Sequence, residues 1–413
     1  MNNQKTTILF IALCILSLFL VERENNQENF LSLESSYVNW LIDTKKQKKY
    51  SPSITLLTLD DSEESVIQDW PPNPLDYAVI LNNLKTHNPK LVAIEPSLEF
   101  PNGSEGLIET LRTACLSFNQ KSLLLSAVCQ MDQSFDPASE KGENFFDSIL
   151  TVNGNTDKVP EFTKINSLPD QRFAAMGLPI AFTSIDLSDY DQDGNNYTFP
   201  LIARIGKKIV PSFVLKAIML ENNIKANQVI INLGNEIKLG DKKIIPIDDT
   251  GRVIIYPALQ GELSKERINL LTVPTIELDE KKRSLLKNNV LLIGNDKDSA
   301  NIKNIPFRQN SIISNAELIA LAISTIQSEL YISELTKNTE VFVWIVLIFL
   351  GVLIFKYYPK KAISRIGLLI LIYLSFNMVL FQSNGQWISP LPPFVLFALM
   401  TVFAFFLPKK KAS

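Results

Sequence analysis

Apolar residues are concentrated in four runs, one near the amino terminus and three near the carboxyl terminus. Each run is 14 to 18 residues long. A helix needs about 20 apolar residues to cross the hydrocarbon core of a bilayer, so the runs lie near the lower limit. A buried-core interpretation suits a single run better than three in succession. The pattern predicts four membrane-spanning helices, at residues 8–21, 341–358, 366–381 and 391–407.

The first run has a second interpretation. Its length and the preceding Lys5 also suit the apolar core of a secretory signal peptide. No cleavage site of the A-x-A type follows it, and Glu22, Arg23 and Glu24 end it instead. We therefore expect an uncleaved anchor.

Basic residues orient the four predicted helices. Lys and Arg are found before the first helix, between residues 356 and 365, and at residues 409–411. The connection at residues 383–389 has none. Because cytoplasmic loops are rich in Lys and Arg, residues 1–7 and 408–413 are expected in the cytoplasm. Residues 22–338 then form one large domain on the outer side, which is the periplasm if the membrane is a bacterial inner membrane.

The first half of this domain alternates between two hydrophobic patterns. Residues 53–59, 91–94 and 121–129 are short, almost continuous apolar runs. Residues 74–85 and 106–118 have apolar positions at helical spacing. Strands that alternate with helices of about a dozen residues indicate βαβ units. The fold class expected is α/β, with a mostly parallel sheet and flanking helices in a periplasmic domain, plus four transmembrane helices.

The second half is richer in turns. A helix is predicted after Pro211, and an apolar strand at residues 287–294. Residues 312–335 have helical periodicity and are predicted to form one helix that runs without a break toward Val341. Such a helix would couple the domain mechanically to the membrane. Further short strands are predicted at residues 178–186, 197–204, 229–239, 242–247 and 252–256.

Composition and the absence of known motifs argue against several functional classes. The 413 residues carry a formal net charge of −3, so no general nucleic-acid footprint is expected. Three Cys and one His leave little material for a Cys/His metal site or a His-based hydrolase. The sequence contains no P-loop, nucleophile elbow, zinc-protease motif or dinucleotide fingerprint.

Acidic residues follow the predicted strands. Asp60 and Asp61 end the first strand, Glu95 ends the second, and Asp296 follows the strand at residues 287–294. Ligands of open parallel sheets bind beyond the carboxyl ends of strands, which predicts a cation or polar-ligand pocket with Trp70 as a lid. The alternative is structural: Asp61 caps a helix and Trp70 packs in the core. The structural alternative is favoured.

One acidic turn resembles a calcium loop. Asp189, Asp191 and Asp193 precede Gly194 in the first half of the D-x-D-x-D-G pattern. The twelfth position is Pro200, where a bidentate Glu is needed, and strands are predicted on both sides. Asx-rich turns between strands have the same sequence without a metal. Calcium is the only cofactor considered, and the metal-free turn is favoured.

Two cysteines would face an oxidising compartment. Cys115 lies on a predicted helix and Cys129 ends the next strand. A disulfide bond between them is geometrically feasible but is not implied by the sequence.

A resemblance to a known family is carried by residues 57–62, 70–71, 74, 89–95, 191–194, 199–201, 209–213, 249–252 and 290–294. The order of these segments is similar to that in the CHASE domain of the second type, an extracellular sensory domain of bacterial receptors. The resemblance covers nearly the whole chain, and no single motif decides it. The chain departs from the family at three points: residues 72–74 (Pro-Asn-Pro) stand where a second Trp and an Arg are common, Glu95 stands where Asp is usual, and Ser314 stands about where a His is common.

The resemblance implies a receptor with one amino-terminal and three carboxyl-terminal membrane helices, in contact with membrane lipid and dimeric by analogy. Family receptors continue into a cytoplasmic effector, whereas this sequence ends at Ser413. A non-enzymatic sensor that signals to a separate kinase, cyclase or phosphatase is therefore expected. The alternatives are an envelope scaffold that senses nothing and, with least support, a hydrolase that uses carboxylates such as Asp60 and Glu95.

Overall fold

A computed structural model describes residues 28–44, 53–59, 72–119, 121–130, 143–184, 198–256, 263–267, 280–295, 303–304, 312–335 and 337–406. The chain divides into a central unit, Lys49–Tyr331, and a terminal unit, Met1–Lys48 with Ile332–Ser413. The helices are α1 (Glu28–Thr44), α2 (Pro74–Lys85), α3 (Glu105–Leu116), α4 (Gln171–Ala174), α5 (Phe213–Glu221), α6 (Glu280–Leu286), α7 (Asn315–Ser328), α8 (Lys337–Tyr357), α9 (Ala362–Asn384) and α10 (Leu391–Phe406).

The strands are short and most lie in the central unit. They are β1 (Ile54–Leu59), β2 (Leu91–Ile94), β3 (Leu123–Gln130), β4 (Thr151–Asn153), β5 (Glu161–Phe162), β6 (Lys164–Ser167), β7 (Ile180–Phe182), β8 (Thr198–Pro200), β9 (Ile202–Ile205), β10 (Lys208–Pro211), β11 (Val229–Asn232), β12 (Glu236–Leu239), β13 (Lys243–Pro246), β14 (Arg252–Ile254), β15 (Ser264–Arg267), β16 (Val290–Asn295), β17 (Lys303–Asn304), β18 (Ile312–Ile313), β19 (Ser333–Glu334) and β20 (Gln386–Trp387).

The central unit is built on a mostly parallel sheet, as the sequence predicts. Among the described residues its strand order is β15-β1-β16-β2-β3-β6, and β7 also pairs with β3. All of these pairings are parallel except the one between β3 and β6. The strand β16 lies far along the chain but inserts between β1 and β2, so the carboxyl ends of early and late strands meet at one edge.

Helices cover both faces of this sheet. Leu57, Ile94 and Ile293 belong to a buried cluster with residues of α2 and α3 on one face. On the opposite face α7 packs on β1 and β16, and α5 packs on β2 and β7. A Cβ built on Gly294 would lie 2.2 Å from the Cβ of Ala316, so glycine is required where α7 approaches β16. Strands buried on both faces explain the continuous apolar runs in the sequence.

Local capping fixes the start of α2, the helix that follows β1 in the chain. The Asn73 side chain accepts hydrogen bonds from the backbone N–H groups of Leu75 and Asp76, at 2.8 Å and 3.2 Å. The Asp76 carboxylate accepts in return from the Asn73 N–H at 2.9 Å. Pro74 occupies the first helical turn, where its missing N–H costs nothing. The helix predicted at residues 74–85 has these same bounds.

Smaller sheets extend the central unit beyond residue 143. Their strand orders are β10-β9-β5, β13-β12-β11-β4, β14-β8 and β17-β18. The region predicted to be rich in turns therefore holds short hairpins rather than further βαβ units. The helix predicted after Pro211 begins at Phe213, with the Ser212 hydroxyl accepting from the Leu215 N–H at 3.3 Å.

The prediction of one unbroken helix over residues 312–335 is wrong. The helix α7 ends at Ser328, and Glu329 adopts a left-handed φ of 55°. The Glu329 and Leu330 N–H groups bond the carbonyls of Ile326 and Thr325, at 3.3 Å and 3.2 Å. This Schellman arrangement closes a helix end and turns the chain away from the helix axis. Glycine usually occupies the left-handed position, so a glutamate there gave no stop signal in the sequence.

The terminal unit is a helical unit with one small strand pair. The strands β19 and β20 pair in parallel, and Trp387 of β20 is fully buried. On α9, Asn377 is buried and its Nδ2 donates to the Tyr373 hydroxyl at 3.0 Å. The three apolar helices α8, α9 and α10 pack through a buried cluster that includes Trp344, Leu347, Leu369, Tyr373, Phe397 and Met400.

Two helices of this unit are long and apolar enough to cross a membrane, within the described part of the chain. They are Asn338–Tyr357, with 20 residues, and Pro359–Asn384, with 26 residues. A third apolar helix, Pro392–Ala404, is shorter. These helices include most of the predicted spans at residues 341–358, 366–381 and 391–407. The predicted span at residues 8–21 and the tail at 408–413 lie outside the described residues.

Candidate functional site at the carboxyl edge of the sheet

The carboxyl ends of β1, β16 and β2 meet at one edge of the parallel sheet. Leu59, the last residue of β1, is the register partner of Asn295, the last residue of β16. Ile293 pairs with Ile94, and the N–H of Glu95 donates to the Ile293 carbonyl at 2.8 Å. Glu95 is therefore held by the backbone at the edge where ligands of open parallel sheets bind.

The side chain of Glu95 is bound by the first turn of α7. The Asn315 Nδ2 donates to Glu95 Oε1 at 2.8 Å, across 220 positions of the chain. The contact is partly buried. A hydrogen bond to a carboxylate is stronger than one between neutral groups. It joins the end of β2 to the start of α7, which packs on the face of the sheet away from α2 and α3.

A capping box orients that first turn. The Ser314 hydroxyl accepts from the Glu317 N–H at 3.1 Å, and the Glu317 carboxylate accepts from the Ser314 N–H at 3.0 Å. Both side chains are buried. Because the cap is reciprocal, the first residue of α7 has a fixed position and its amide is aimed at Glu95.

A buried tyrosine lies within the electrostatic field of Glu95. Tyr77 of α2 is 3% exposed. Burial raises the pKa of its hydroxyl, and the negative charges of Glu95 and Asp76 raise this pKa further. The hydroxyl therefore stays protonated at neutral pH. The ring packs against Phe100, with the centroids 6.3 Å apart.

The segment after β2 is tied to the end of β6. The Ser167 hydroxyl bonds Ser97 at 2.7 Å and also bonds the carboxylate of Glu99. The Asp170 N–H donates to the Leu98 carbonyl at 3.0 Å. The side-chain hydrogen bond from Arg172 to Asp170 lowers the pKa of that carboxyl group. Polar groups after β2 and at the end of β6 thus lie along the carboxyl edge, on the side of β2 away from β1.

Of the five residues predicted to form the pocket, the structure describes one. That residue, Glu95, is placed at the edge and interacts with other groups. The predicted Asp60, Asp61, Trp70 and Asp296 lie outside the described residues, so their convergence stays a prediction. Sequence analysis missed Asn315 and Tyr77. The S-x-x-E pattern from Ser314 to Glu317 marks a helix start and was a signal that could have pointed to Asn315.

The proposed calcium turn also lies outside the described residues, with Asp189, Asp191 and Asp193. Within the ranges that the structure describes, no group of three or more His, Cys, Asp or Glu side chains is arranged to hold a metal ion. The calcium site therefore stays a prediction.

The two cysteines predicted as a feasible disulfide pair are free thiols in the structure. Both belong to the buried cluster between the sheet and the helices α2 and α3. Burial raises the pKa of Cys115 to about 12 and that of Cys129 to about 12. The thiolate is the reactive form, so such cysteines are expected to be packing residues.

Comparisons with known proteins identify one family. The family model described as the CHASE2 domain matches residues 9–354. Neither a search of the curated proteins nor a search of the solved structures found a match. The match covers most of the 413 residues and includes the parallel sheet and most of α8. The chain therefore belongs to the CHASE2 family of extracellular sensory domains.

Proposed function

We propose that the chain is a membrane-anchored sensory protein that binds a stimulus outside the cytoplasm and signals to a separate partner. The ligand is a small polar or cationic molecule, held beyond the carboxyl ends of β1, β16 and β2. The signal leaves through α7 and the apolar helices, and the partner is a kinase, cyclase or phosphatase. Four membrane spans, a bacterial inner membrane and a homodimer belong to the same proposal.

The contact between Glu95 and Asn315 is the observation that carries this proposal. It connects the candidate site directly to α7, the last helix of the central unit. Eight residues, 329–336, separate α7 from α8, which is long and apolar enough to cross a membrane. A ligand that competes for the Glu95 carboxylate would break this contact and change the position of α7.

The helix α7 is suited to move as one body. Its residues from Ala316 to Ile326 are all buried. At its carboxyl end the Lys243 ammonium donates to the carbonyls of Ile326 and Gln327, at 3.1 Å and 3.3 Å, and to Glu329 at 3.0 Å. The helix is thus bound by polar contacts at both ends and by packing between them. Packed interfaces switch between discrete arrangements more readily than they deform.

A ligand can shift an equilibrium between two positions of α7 only if it binds the protein more tightly in one of them. The contact at the amino end of α7 supplies that difference, because the Glu95 carboxylate either bonds Asn315 or bonds a ligand. The family match gives the sensory role, and the break at Glu329 means that α7 and α8 are not one continuous helix.

The topology in this proposal is tested with reporter fusions in cells. A fusion at Ser413 should report a cytoplasmic location, and a fusion at Asn166, which is exposed on β6, should report an extracytoplasmic one. The same location for both fusions would exclude the proposed topology. The ligand is tested by thermal shift of the full chain with a panel of amino acids, amines and divalent cations, with Glu95→Ala as the control. A shift that persists in that variant would exclude the carboxyl edge as its site.

A second candidate is an envelope interaction protein that senses no ligand. The outer face of the four-stranded sheet favours it, because Ile230 and Ile244 are 39% and 57% exposed. Both are register partners of Lys238 on the strand between them. Two isoleucines exposed on one sheet face, one on either side of a lysine, form a mixed surface that a protein partner could cover. Loss of binding partners in cells after Ile230→Ser and Ile244→Ser, with ligand response unchanged, would support this candidate.

A further inference from the structure

The connection between α8 and α9 is strongly cationic. Lys356, Lys360, Lys361 and Arg365 lie within ten residues and all are exposed. No ion pair joins any of these four to a carboxylate in the described part of the chain. Residues 341–413 contain seven Lys or Arg and no Asp or Glu, so this end of the protein has no acidic group of its own to neutralise them.

Aromatic rings lie beneath two of these cations. The Arg365 guanidinium lies 3.5 Å from the centroid of the Tyr358 ring, and the Lys356 ammonium lies 5.2 Å from that of Tyr357. The two rings are 47% and 61% exposed. Tyrosines are enriched at the level of lipid headgroups, where the ring is partly apolar and the hydroxyl is wet.

The cationic connection continues into exposed apolar surface on both helices. Phe349 on α8 and Ile363, Leu368 and Leu371 on α9 are all exposed. A molecule that fits this surface therefore carries a negative head beside a long apolar part. An acidic protein segment would match only the charges and would leave the apolar surface uncovered.

We propose that residues 356–365 bind the phosphate headgroup of anionic phospholipids, with the acyl chains against α8 and α9. The inference rests on the proposed membrane insertion of these helices and adds a preference for one lipid class. A guanidinium donates two parallel hydrogen bonds to a phosphate, and the three lysines supply further charge. Attraction between basic segments and anionic lipid weakens with salt, because the charges are exposed and screened.

The test compares two lipids on the full chain. Native mass spectrometry in detergent follows binding of phosphatidylglycerol and phosphatidylcholine at about 0.1 M and about 0.5 M ionic strength. The variant K356Q/K360Q/K361Q/R365Q removes the four charges. The control K85Q/K121Q/K207Q/K225Q removes four exposed charges from the central unit. Flotation with phosphatidylcholine vesicles measures membrane insertion of each protein separately.

Wild-type protein and the control should bind phosphatidylglycerol at about tenfold lower concentration than phosphatidylcholine, with the difference reduced at high salt. The patch variant should float with vesicles and bind the two lipids within about twofold of each other. If the wild type floats but binds the two lipids equally, the headgroup inference is overturned and the proposed membrane insertion stands. The same holds if the patch variant still prefers phosphatidylglycerol. Failure of the wild type to float would overturn the proposed membrane insertion as well. Crosslinking of Lys360 to an acidic protein segment, with no lipid preference, would assign the patch to a protein partner and overturn the inference.

Discussion

Asn315 donates through its side-chain amide to the carboxylate of Glu95 at 2.8 Å. This single contact joins the carboxyl end of a central strand to the first turn of the helix that precedes the apolar helices. The two residues lie 220 positions apart, and only the insertion of β16 between β1 and β2 brings them together. In the proposed function, this contact is where a ligand at the sheet edge would act on α7.

The first prediction concerns the strength of this contact. Asn315→Ala should lower the free energy of unfolding of the full chain by about 1–2 kcal/mol, because the carboxylate loses a charge-assisted hydrogen bond. Glu95→Gln should cost less, since a glutamine oxygen can still accept. Chemical denaturation of both single variants and the double variant measures the coupling. Additive effects would show that the two side chains do not interact.

The second prediction concerns the close approach of α7 and β16. Gly294→Ala should destabilise the chain by about 1–3 kcal/mol, because the new Cβ would lie 2.2 Å from that of Ala316. Ala316→Gly in the same chain should restore part of the loss. The control is Gly106→Ala on α3, where nothing lies within 4 Å of the new Cβ and a gain of about 0.5–1 kcal/mol is expected. Equal stability of the Gly294→Ala variant and the wild type would contradict the packing described.

The third prediction uses the single histidine of the chain. Burial, followed by the positive charge of Arg283, lowers the pKa of His87 from 6.5. The folded state therefore binds its proton less readily than the unfolded state does. Stability from this group is complete above pH 6.5 and is lost as the pH falls through the folded pKa.

The measurement is thermal unfolding between pH 7.5 and pH 5.5, about one unit on either side of the ordinary histidine pKa. The wild-type midpoint should fall relative to that of His87→Gln as the solution is acidified. A wild-type midpoint that rises relative to the variant would mean that the folded state favours the charged imidazole.

The fourth prediction concerns the two buried cysteines. A thiol with a pKa of about 12 is ionised in roughly one molecule in ten thousand at pH 8. Cys115 and Cys129 should therefore resist iodoacetamide in the folded chain. Both should react in denaturant without reductant, as mass spectrometry of the peptides will show. Modification that requires a reductant as well would reveal a disulfide bond.

The sequence predicts elements well where the signal is local. Asn73, Pro74 and Asp76 fix the start of α2, and its helical spacing fixes its length, so the predicted and observed bounds agree. The short strand at residues 91–94 is similarly bounded, because a strand buried on both faces is an almost continuous apolar run. Glu95 was placed at the strand end for the same reason.

The end of α7 and the role of Asn315 depend on tertiary contacts, which the sequence does not predict. The end of α7 depends on a left-handed Glu329 whose carboxylate and neighbouring carbonyls bind Lys243, 86 positions earlier. Lys243 has no sequence signal that links it to a helix end. Asn315 likewise reads as an ordinary residue of the first helical turn until the strand order puts β2 beside β16.

The most direct test of a signal from the sheet edge to a separate partner is photocrosslinking in cells from Ala412, in the carboxyl-terminal tail that the sequence predicts to be cytoplasmic. Mass spectrometry then identifies the captured protein in wild-type cells and in cells with Asn315→Ala. The account predicts capture of a kinase, cyclase or phosphatase, with a yield that Asn315→Ala changes by at least about threefold and Gly106→Ala leaves unchanged. Capture of structural envelope proteins alone, or a yield that Asn315→Ala does not alter, would contradict it.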